Sequence, residues 1–541
     1  HFTVINANDL RFNLSETGSL LNARFGSRIS LDSCVRIHDL TEGWPLGLQL
    51  AVSTIERAES LQQALAGFTV QASDINRYFV EHLIDRLPSD MAQLLVRLSF
   101  VDAVSPPLYE AITKQENGAA MLEQLFQAAP IFSVGVSSEW FRMHALAKVF
   151  LLERFKGLPE AERSELHLRA GHWLAAQNLH EEAARHLLEA GRADLAYDLA
   201  ARCLHDVVLS GQVALASYWV ERLPDTEIMR RTNLRLSMGW ILAQSDRHTE
   251  AARLVESIVD DVTADPGDRC EGAEICATAA VFADEIEQVN SIVVPWIETL
   301  PTQPLLCHFV GINLLAFLEM YRGASRQARY CYRSLPNDHD SVGCYALGWR
   351  DWIIGISYLW EGQTALGADW LGAALECAES DAGRRSPVAV MLASALAAAL
   401  LDCGRLSEAA ALIADRLDVL TRRAPPEALM MGQLTAARLA ELANQEQSAL
   451  ALLDDLLALG EQRRLPRLRI ASLCERLRLH ALRNRTTLCA TAERMLDQLV
   501  SELSGHAWGL LEPVVDIQIG IARAYAAIAR QDWSLALNWL N

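Results

Sequence analysis

The stretch Trp140-Phe141-Arg142-Met143-His144-Ala145-Leu146 divides this chain into two parts of different character. Upstream, short helical segments alternate with turns, whereas downstream Ala- and Leu-rich helices follow one another. Residues 130–134 and 139–142 predict a short β-hairpin, and a helix is expected to begin at Ala145. Several helices, a hairpin and a helix are the parts of a winged-helix module, here residues 74–157. The helices expected before the hairpin span 74–87, 89–100, 106–113 and 118–128.

The segment before this module is expected to hold one strand and a few short helices. Residues 2–5 are the only convincing strand candidate, and a helix is predicted near Ser15, whose hydroxyl suits an N-cap. A strand needs partners, which favours the interpretation that the chain is a piece of a longer protein. Residues 31–73 are predicted as short helices around a Gly-Trp-Pro motif at 43–45. Its glycine can adopt backbone angles that other residues avoid, and its proline fits the first helical turn.

Only helices are expected after residue 157, and they repeat. Residues 158–224 are predicted to form a helical arm. In residues 225–541, two-helix units recur about every 40 residues, each with a small or apolar anchor residue early in its second helix. Small anchors let paired helices approach closely, so we predict a right-handed superhelix of tetratricopeptide-like hairpins and a mainly α chain. The anchors are Ala251, Val289, Ala328, Ala368, Ala409, Ala449, Ala490 and Ala536.

Composition and charge argue against several classes of function. The net charge is −20 and no basic stripe is present, so the chain is a poor nucleic-acid binder by itself. Its only lysines are Lys114, Lys148 and Lys156, none of which follows a glycine, so the sequence has no phosphate-binding P-loop. It also lacks a Gly-x-Ser-x-Gly elbow and a His-Glu-x-x-His motif. We therefore expect this region not to be an enzyme.

Metal binding and membrane insertion are also not expected. The 11 cysteines are scattered in spacings that fit no metal site, which predicts free thiols in a reducing compartment. The longest apolar runs are shorter than a membrane helix requires, and no signal peptide is visible. These features predict a cytoplasmic protein with no membrane partner and no structural metal.

Four motifs in a fixed order resemble one protein family. They are Leu10-Arg11-Phe12, the segment 41–50 that contains the Gly-Trp-Pro motif, the segment 78–83 and the segment 140–146. In this order they resemble the large ATP-dependent LuxR-type transcription activators of the MalT type, which are signalling NTPases of the STAND class. Residues 169–191 are similar to the arm of that family. The resemblance covers residues 1–200 motif by motif and the rest by architecture only.

The resemblance implies a domain order and two nucleotide contacts. Residues 1–30 would be the remnant of a nucleotide-binding domain, and a DNA-binding helix-turn-helix domain would follow the solenoid. Pro45 would pack near the adenine of bound ADP or ATP, and His144 would touch the β-phosphate of ADP and hold the resting state closed. Ala145 stands where related signatures have an acidic residue. ADP and ATP are thus expected cofactors of the intact protein, without tight binding by the present chain, and activation would involve self-association.

A second site is expected in the solenoid, which would act as the sensor. Trp349, Arg350, Trp352 and Tyr358 lie on the first helix of one repeat, where aromatic rings and a charged pair could hold a small-molecule or protein inducer. The alternative is that Trp349 and Trp352, three residues apart, pack together between repeats.

Two other functions are compatible with the sequence. The solenoid could be a tetratricopeptide scaffold that binds protein partners in signalling. Alternatively, the chain could be the regulatory part of an ATP-dependent enzyme, such as a kinase. The sequences that flank this region in the complete gene product would separate these possibilities, because a transcription regulator requires a Walker motif upstream and a helix-turn-helix downstream.

Overall fold

The computed structural model describes most of the chain, which falls into two compact units, His1–Cys203 and Leu204–Asn541. The described residues are mainly helical, which confirms the predicted fold class. The division between the units lies inside the predicted arm of residues 158–224, and the predicted domain boundaries stay predictions. The described residues are 11–25, 29, 31–41, 43–57, 87–128, 132–134, 140–143, 145–209, 213–245, 247–302, 305–335 and 342–540.

The first unit contains short helices and three short strands among its described residues. Its last helix, α10, continues into the second unit. The helices are α1 Leu14–Phe25, α2 Leu31–Thr41, α3 Pro45–Arg57, α4 Ser89–Leu98, α5 Pro106–Thr113, α6 Gly118–Ala128, α7 Ala145–Lys156, α8 Glu160–Ala176, α9 His180–Glu189 and α10 Ala193–Leu209. The strands are β1 Ala103–Val104, β2 Phe132–Val134 and β3 Phe141–Met143.

The first described helix begins at Leu14 and is capped by Asn13. The Asn13 side-chain oxygen accepts from the backbone N–H of Glu16, and the Glu16 carboxylate accepts from the backbone N–H of Asn13, both at 2.9 Å. The prediction of Ser15 as the N-cap is therefore wrong. A capping box needs an acidic or amide side chain three residues after the cap, and Gly18 stands three residues after Ser15. The predicted strand at residues 2–5 lies outside the described residues.

The predicted hairpin forms and gains a third strand. Strands β2 and β3 pair antiparallel with Phe132 opposite Met143, and α7 begins at Ala145 as predicted. Strand β1 also pairs antiparallel with β3, with Ala103 opposite Arg142, so the sheet order is β1-β3-β2. The two residues of β1 are too few to produce an alternating pattern in the sequence. The sheet and its helices form the winged-helix module.

The helices of this module largely match their predicted bounds. Helices α5 and α6 have the predicted limits, whereas α4 ends at Leu98 instead of residue 100. Local side chains explain the agreement for α5, because the Ser105 hydroxyl accepts from the Leu108 N–H at its start. At its end Lys114 adopts the left-handed conformation. The helix predicted at 74–87 lies almost entirely outside the described residues.

The second unit is a series of antiparallel helix pairs. None of the helices in the described part of the chain is long and apolar enough to span a bilayer. The helices that follow α10 are α11 Val213–Val220, α12 Asp225–Arg230, α13 Thr232–Ala243, α14 His248–Asp260, α15 Pro266–Phe282, α16 Ile286–Val293, α17 Leu305–Tyr321, α18 Ser325–Cys331, α19 Cys344–Trp360, α20 Thr364–Ala382, α21 Pro387–Asp402, α22 Leu406–Ile413, α23 Leu417–Arg423, α24 Pro426–Leu442, α25 Glu446–Gln462, α26 Pro466–Leu482, α27 Thr486–Glu502, α28 Glu512–Ala529 and α29 Trp533–Leu540.

The turns inside the helix pairs share one construction wherever the structure describes the whole turn. One residue adopts a left-handed conformation, and the N–H of the next residue donates to the carbonyl five residues earlier, as Glu285 does to Ala280 at 2.9 Å. This Schellman arrangement satisfies carbonyls that a helix end leaves free. It recurs in the arm, which therefore uses the same hairpin. The left-handed residues are Asn178, Gly191, Asp284, Gly323, Gly362, Gly404, Asn444, Asn484 and Gln531.

Most predicted anchors are buried where the second helix of a pair meets the first, and two are corrected. The anchor of each pair donates its backbone N–H to the residue just before the second helix. By this criterion Gly367 is an anchor instead of Ala368, and Cys489 instead of Ala490. Cys489 is buried, whereas Ala490 is exposed. The two errors arise because adjacent small residues cannot be distinguished from the sequence alone.

One buried ion cluster joins hairpins that are distant in sequence. Arg467, only 1% exposed, donates to the carboxylate of Asp284 at 2.6 and 2.8 Å and to Glu427 Oε2 at 2.5 Å. The Tyr321 hydroxyl donates to the same Glu427 oxygen at 2.7 Å. Because Asp284 and Arg467 are 183 positions apart, the cluster fixes an early hairpin of the second unit against a late one.

Candidate functional site

The Gly-Trp-Pro motif forms a fixed turn before α3. Gly43 has a φ of +67°, and a Cβ atom there would lie 2.0 Å from the Phe12 carbonyl oxygen, so only glycine fits. The Phe12 N–H donates to the Gly43 carbonyl at 2.8 Å, which joins the turn to the segment before α1. The conformational prediction for Gly43 is thereby confirmed.

Of the two residues predicted to contact nucleotide, the structure describes only Pro45. Pro45 is the first residue of α3, as predicted, and is exposed, so its ring is accessible to a flat base. His144 lies outside the described residues. Its neighbours Met143 and Ala145 are the last residue of β3 and the first of α7. The assignment of Pro45 and His144 to a nucleotide site stays a prediction.

The winged helix packs against the arm through a cluster of four rings. Phe100, which follows α4, stacks on Phe155 of α7 with centroids 5.0 Å apart. The arm contributes His167 from α8 and His186 from α9, whose rings lie 4.6 and 5.2 Å from that of Phe100. Trp140, just before β3, also meets Trp173 of α8 edge to face at 6.1 Å in the same unit. Aromatic rings in these arrangements attract one another beyond their buried area.

The two arm histidines form a hydrogen-bonded pair that is held neutral. Their Nδ1 atoms are 3.0 Å apart, so one nitrogen donates and the other accepts. Burial lowers the pKa of His167 to about 4 and that of His186 to about 3. A proton added to the accepting nitrogen would remove the bond and place a charge among phenylalanine rings. The contact between winged helix and arm therefore depends on neutral imidazoles.

An ion network lies beside this ring cluster. Asp102, between α4 and β1, pairs with Lys148 of α7 and with Arg185 of α9, the latter at 3.4 Å. Although burial alone would raise the pKa of Asp102, these two cations lower it. Arg97 of α4 pairs with Glu162 of α8 at 2.8 Å. Charge pairing thus accompanies ring packing across the contact between winged helix and arm.

The four predicted effector residues on α19 occupy different environments. Trp349 borders a cleft, whereas Trp352 is fully buried and packs edge to face on Trp349, with centroids 5.6 Å apart. Arg350 pairs with the adjacent Asp351 at 2.9 Å. The ring of Tyr358 lies under the guanidinium of Arg329 at 4.4 Å. Of the four, only Trp349 lines the cleft, and the effector role of all four stays a prediction.

The cleft is an apolar space among the first helices of four hairpins, α13, α15, α17 and α19. Small-molecule sites are mostly apolar with a few polar groups, and the lining of this cleft has that character. Four aromatic residues form much of its wall, and none of its lining side chains carries a charge. The lining residues are Val208, Trp240, Gln244, Thr278, Val281, Leu306, Val310, Asn313, Leu314, Phe317, Tyr345, Ala346 and Trp349.

Two polar side chains of the cleft are already hydrogen-bonded within the protein. Asn313 donates to the Ala346 carbonyl and accepts from the Tyr332 hydroxyl, both at 3.0 Å. The Trp240 Nε1–H donates to Glu271 at 2.8 Å. These bonds hold the residues in place and leave few free polar groups for a ligand. The cleft therefore suits an apolar molecular body.

Sequence reasoning missed most of the cleft. Trp240, Phe317 and Tyr345 lie on α13, α17 and α19, which are all first helices of hairpins. An aromatic residue on a first helix was the feature that indicated Trp349, and the same rule would have found these three. The polar lining residues have no distinguishing feature in the sequence, because their selection depends on which helices become neighbours.

Known proteins resemble the chain in the same regions. A family model of the MalT winged helix domain matches residues 80–165. The chain is 25% identical over 334 residues to the HTH-type transcriptional regulator MalT of Yersinia pestis. This alignment covers 59% of the present chain and 36% of the regulator. The chain is also 26% identical over 298 residues to the serine/threonine-protein kinase PknK of Mycobacterium tuberculosis. That alignment covers 52% of the present chain and 26% of the kinase.

One solved structure was also matched. It is a signal transduction ATPase with numerous domains that carries a tetratricopeptide repeat sensor, from Pyrococcus horikoshii, with a TM-score of 0.39 and 14% identity. The match covers 98% of the present chain and 75% of the solved chain. The present chain spans 36% of the MalT relative and 26% of the kinase, well under two thirds of either. The winged helix match and the MalT relatives confirm the resemblance to MalT-type regulators that the motifs predicted.

Proposed function

We propose that this chain is the winged-helix, arm and sensor region of a transcription regulator whose solenoid binds an effector. The observation that carries the proposal is the apolar, aromatic-walled cleft among α13, α15, α17 and α19. Its uncharged, mostly apolar lining has the character of small-molecule sites. The region itself is proposed to be non-catalytic, and the DNA-binding and nucleotide-binding parts would belong to the intact protein.

The proposed action of the effector is a shift between two states. In the resting state the arm packs on the winged helix through Phe100, His167 and His186. An effector that binds the open state more tightly than the closed one would weaken this inhibitory packing. ADP would then exchange for ATP, and the protein would self-associate and present its DNA-binding domains. The close ring packing and the Asp102 ion pairs in the first unit support a discrete closed state.

Nucleotide is proposed to contact Pro45 and His144 in the intact protein. The exposed ring of Pro45 suits contact with adenine, and an imidazole can donate a hydrogen bond to phosphate. Residues 1–541 are proposed not to bind ATP tightly, since their sequence lacks a P-loop. Isothermal titration calorimetry of residues 1–541 with ATP tests this, and micromolar affinity would contradict it.

The latch role of His144 can be tested in the intact protein. His144→Ala should raise transcription in the absence of effector, because the contact that favours the closed state is lost. His172→Ala is a matched control, since His172 is exposed on the arm helix α8. The measurement is reporter expression from a promoter that chromatin immunoprecipitation of the intact protein identifies. Unchanged basal expression in His144→Ala would exclude the latch.

The effector role of the cleft needs a separate variant. Val310→Phe in the intact protein should fill part of the cleft and abolish the change in reporter expression between growth conditions. Val310 is partly exposed, so a larger side chain can be accommodated with little strain. Thermal unfolding of the variant checks that its stability is retained. A stable variant that still responds fully would refute effector binding in this cleft.

The kinase relative favours one alternative function. Because the matched stretch of PknK is part of a serine/threonine-protein kinase, the chain is alternatively proposed to be the regulatory part of such a kinase. In that case the cleft would control phosphoryl transfer instead of transcription. Tetratricopeptide-mediated binding of protein partners is the other alternative. The complete gene product distinguishes them: a kinase domain upstream would support the first alternative, and a helix-turn-helix downstream would support the transcription regulator.

A further inference from the structure

The end of helix α10 forms part of the wall of the cleft. This helix begins in the first unit at Ala193, and its residues from Leu204 onward belong to the second unit. Val208, which is buried, lines the cleft together with residues of α13, α15, α17 and α19. A change in the cleft can therefore act directly on a helix that the predicted arm contains.

Three helices meet on one buried carboxylate oxygen beside the cleft. His205 lies one helical turn before Val208, and its Nε2 is 2.6 Å from Oε1 of Glu271, which belongs to α15. The same oxygen accepts from the Nε1–H of Trp240, which belongs to α13, at 2.8 Å. Glu271 is only 7% exposed, and the Trp240 side chain lines the cleft. Glu271 therefore joins a wall residue of the cleft to α10.

The bond between His205 and Glu271 is strengthened by charge. Burial alone would lower the pKa of His205, but the hydrogen bond to Glu271 and its negative charge raise it, with smaller contributions from Asp206 and Asp268. The raised pKa favours an imidazolium, which donates to a carboxylate more strongly than a neutral ring does. Trp240 donates to the same oxygen and so helps to set the position of the carboxylate. A displacement of its indole ring therefore changes the geometry of the bond that holds α10.

We propose that His205 is the positioning residue that couples the cleft to the arm. In the resting state its bond to Glu271 holds the end of α10 in place, and an effector that displaces Trp240 moves Glu271 and releases α10. Because α10 is one continuous helix, a shift at its end is carried to the residues that precede it. This proposal rests on the proposed effector role of the cleft and names the contact through which that role is exerted.

A double-mutant cycle tests the coupling without a ligand. Trp240→Phe keeps an aromatic ring but removes the N–H that positions Glu271, and His205→Leu removes the other donor. In native-state hydrogen exchange of the 541-residue chain, each variant should lower the protection of the amides from 204 to 209, His205→Leu by about tenfold. In the double variant the effect of Trp240→Phe should vanish, because the connection through Glu271 is already broken. Additive effects would overturn the proposal.

Two further variants separate coupling from loss of fold. His205→Lys keeps a cation that can pair with Glu271, so Trp240→Phe should lower the protection of α10 in this background as it does in the original chain. A His205→Lys variant that behaves like His205→Leu would overturn the coupling by charge. Arg202→Leu, exposed on the same helix, is the matched control and should leave the amides from 204 to 209 unchanged. His205 is partly exposed, so both replacements should keep the fold, which thermal unfolding checks.

The intact protein distinguishes failure of the coupling from failure of the cleft. His205→Leu should raise reporter expression in the absence of effector and abolish its change between growth conditions, whereas His205→Lys should retain that change. If Val310→Phe abolishes the change but His205→Leu responds fully, the cleft binds an effector and the coupling through His205 is overturned. If Val310→Phe also responds fully, the effector role of the cleft fails and this proposal fails with it.

Discussion

Replacing Arg467 by methionine should strongly destabilise the second unit. The guanidinium is 1% exposed and supplies hydrogen bonds to Asp284 and Glu427, which are themselves 8% exposed. Methionine fills similar space without a charge, so both carboxylates would remain buried without a cation. Removing one partner of a buried ion pair typically costs about 3–5 kcal/mol. Two carboxylates depend on this single arginine, which places the expected cost at the upper end of that range.

A compensated variant separates the charge effect from loss of packing. In the triple variant Arg467→Met, Asp284→Asn and Glu427→Gln, no buried charge is left uncompensated. Asp284 has a φ of +62°, a conformation that asparagine adopts readily, so this substitution introduces little backbone strain. Replacing a whole buried ion cluster by neutral residues is often close to neutral in stability. The triple variant should therefore recover most of the loss of the single variant.

Native-state hydrogen exchange measures this loss locally. The chain has two units, so one global unfolding transition cannot be assumed. Protection of the α24 and α26 amides should fall by about two to four orders of magnitude in Arg467→Met, the equivalent of about 3–5 kcal/mol. Arg494→Met, on the exposed side of α27, is the control. A loss below about 1 kcal/mol in Arg467→Met, or no recovery in the triple variant, would refute this account of the cluster.

Three further perturbations have defined outcomes. The folded pKa values of His167 and His186, about 4 and 3, lie below the unfolded value of 6.5, so stability is full above pH 6.5 and falls by up to about 2 kcal/mol per histidine by pH 5. In denaturant unfolding, the free energy of unfolding should therefore differ less between pH 7 and pH 5 in the variant with both histidines replaced by leucine, and an equal difference would contradict this. Gly43→Ala should lower the local stability of α3 by about 2–3 kcal/mol, measured by hydrogen exchange of its amides. Gly372→Ala, which has open space around the added Cβ, should cause no loss of stability. Trp352→Ala should lower stability by about 3–5 kcal/mol in urea unfolding, and a stable variant would show that its ring is not core.

Local features of the fold could be predicted because short segments determine them. Helix α5 starts where Ser105 and Pro106 provide a cap and a first turn, and ends where Lys114 turns left-handed. Gly43 could be singled out because glycine before a Trp-Pro pair marks a tight turn. The hairpin repeat followed from its period. In each case the atoms that decide the structure lie within a few residues of one another.

Features that depend on distant residues could not be predicted in the same way. Strand β1 is only two residues long and exists because β3 offers it a partner. Asp284 resembles any polar turn residue, yet it accepts from Arg467, 183 positions later. The His167–His186 pair joins two arm helices whose sequences show no special histidine spacing. Each of these contacts forms only after the helices have packed.

The effector cleft could be predicted only in part, because some of its features follow from the local sequence and others from the packing of distant helices. Aromatic residues on first helices can be located by period alone, and that rule reaches Trp349 and extends to Trp240 and Tyr345. The rule cannot say which of two neighbouring tryptophans faces a cavity, because Trp349 and Trp352 differ only in how α17 and α21 pack around α19.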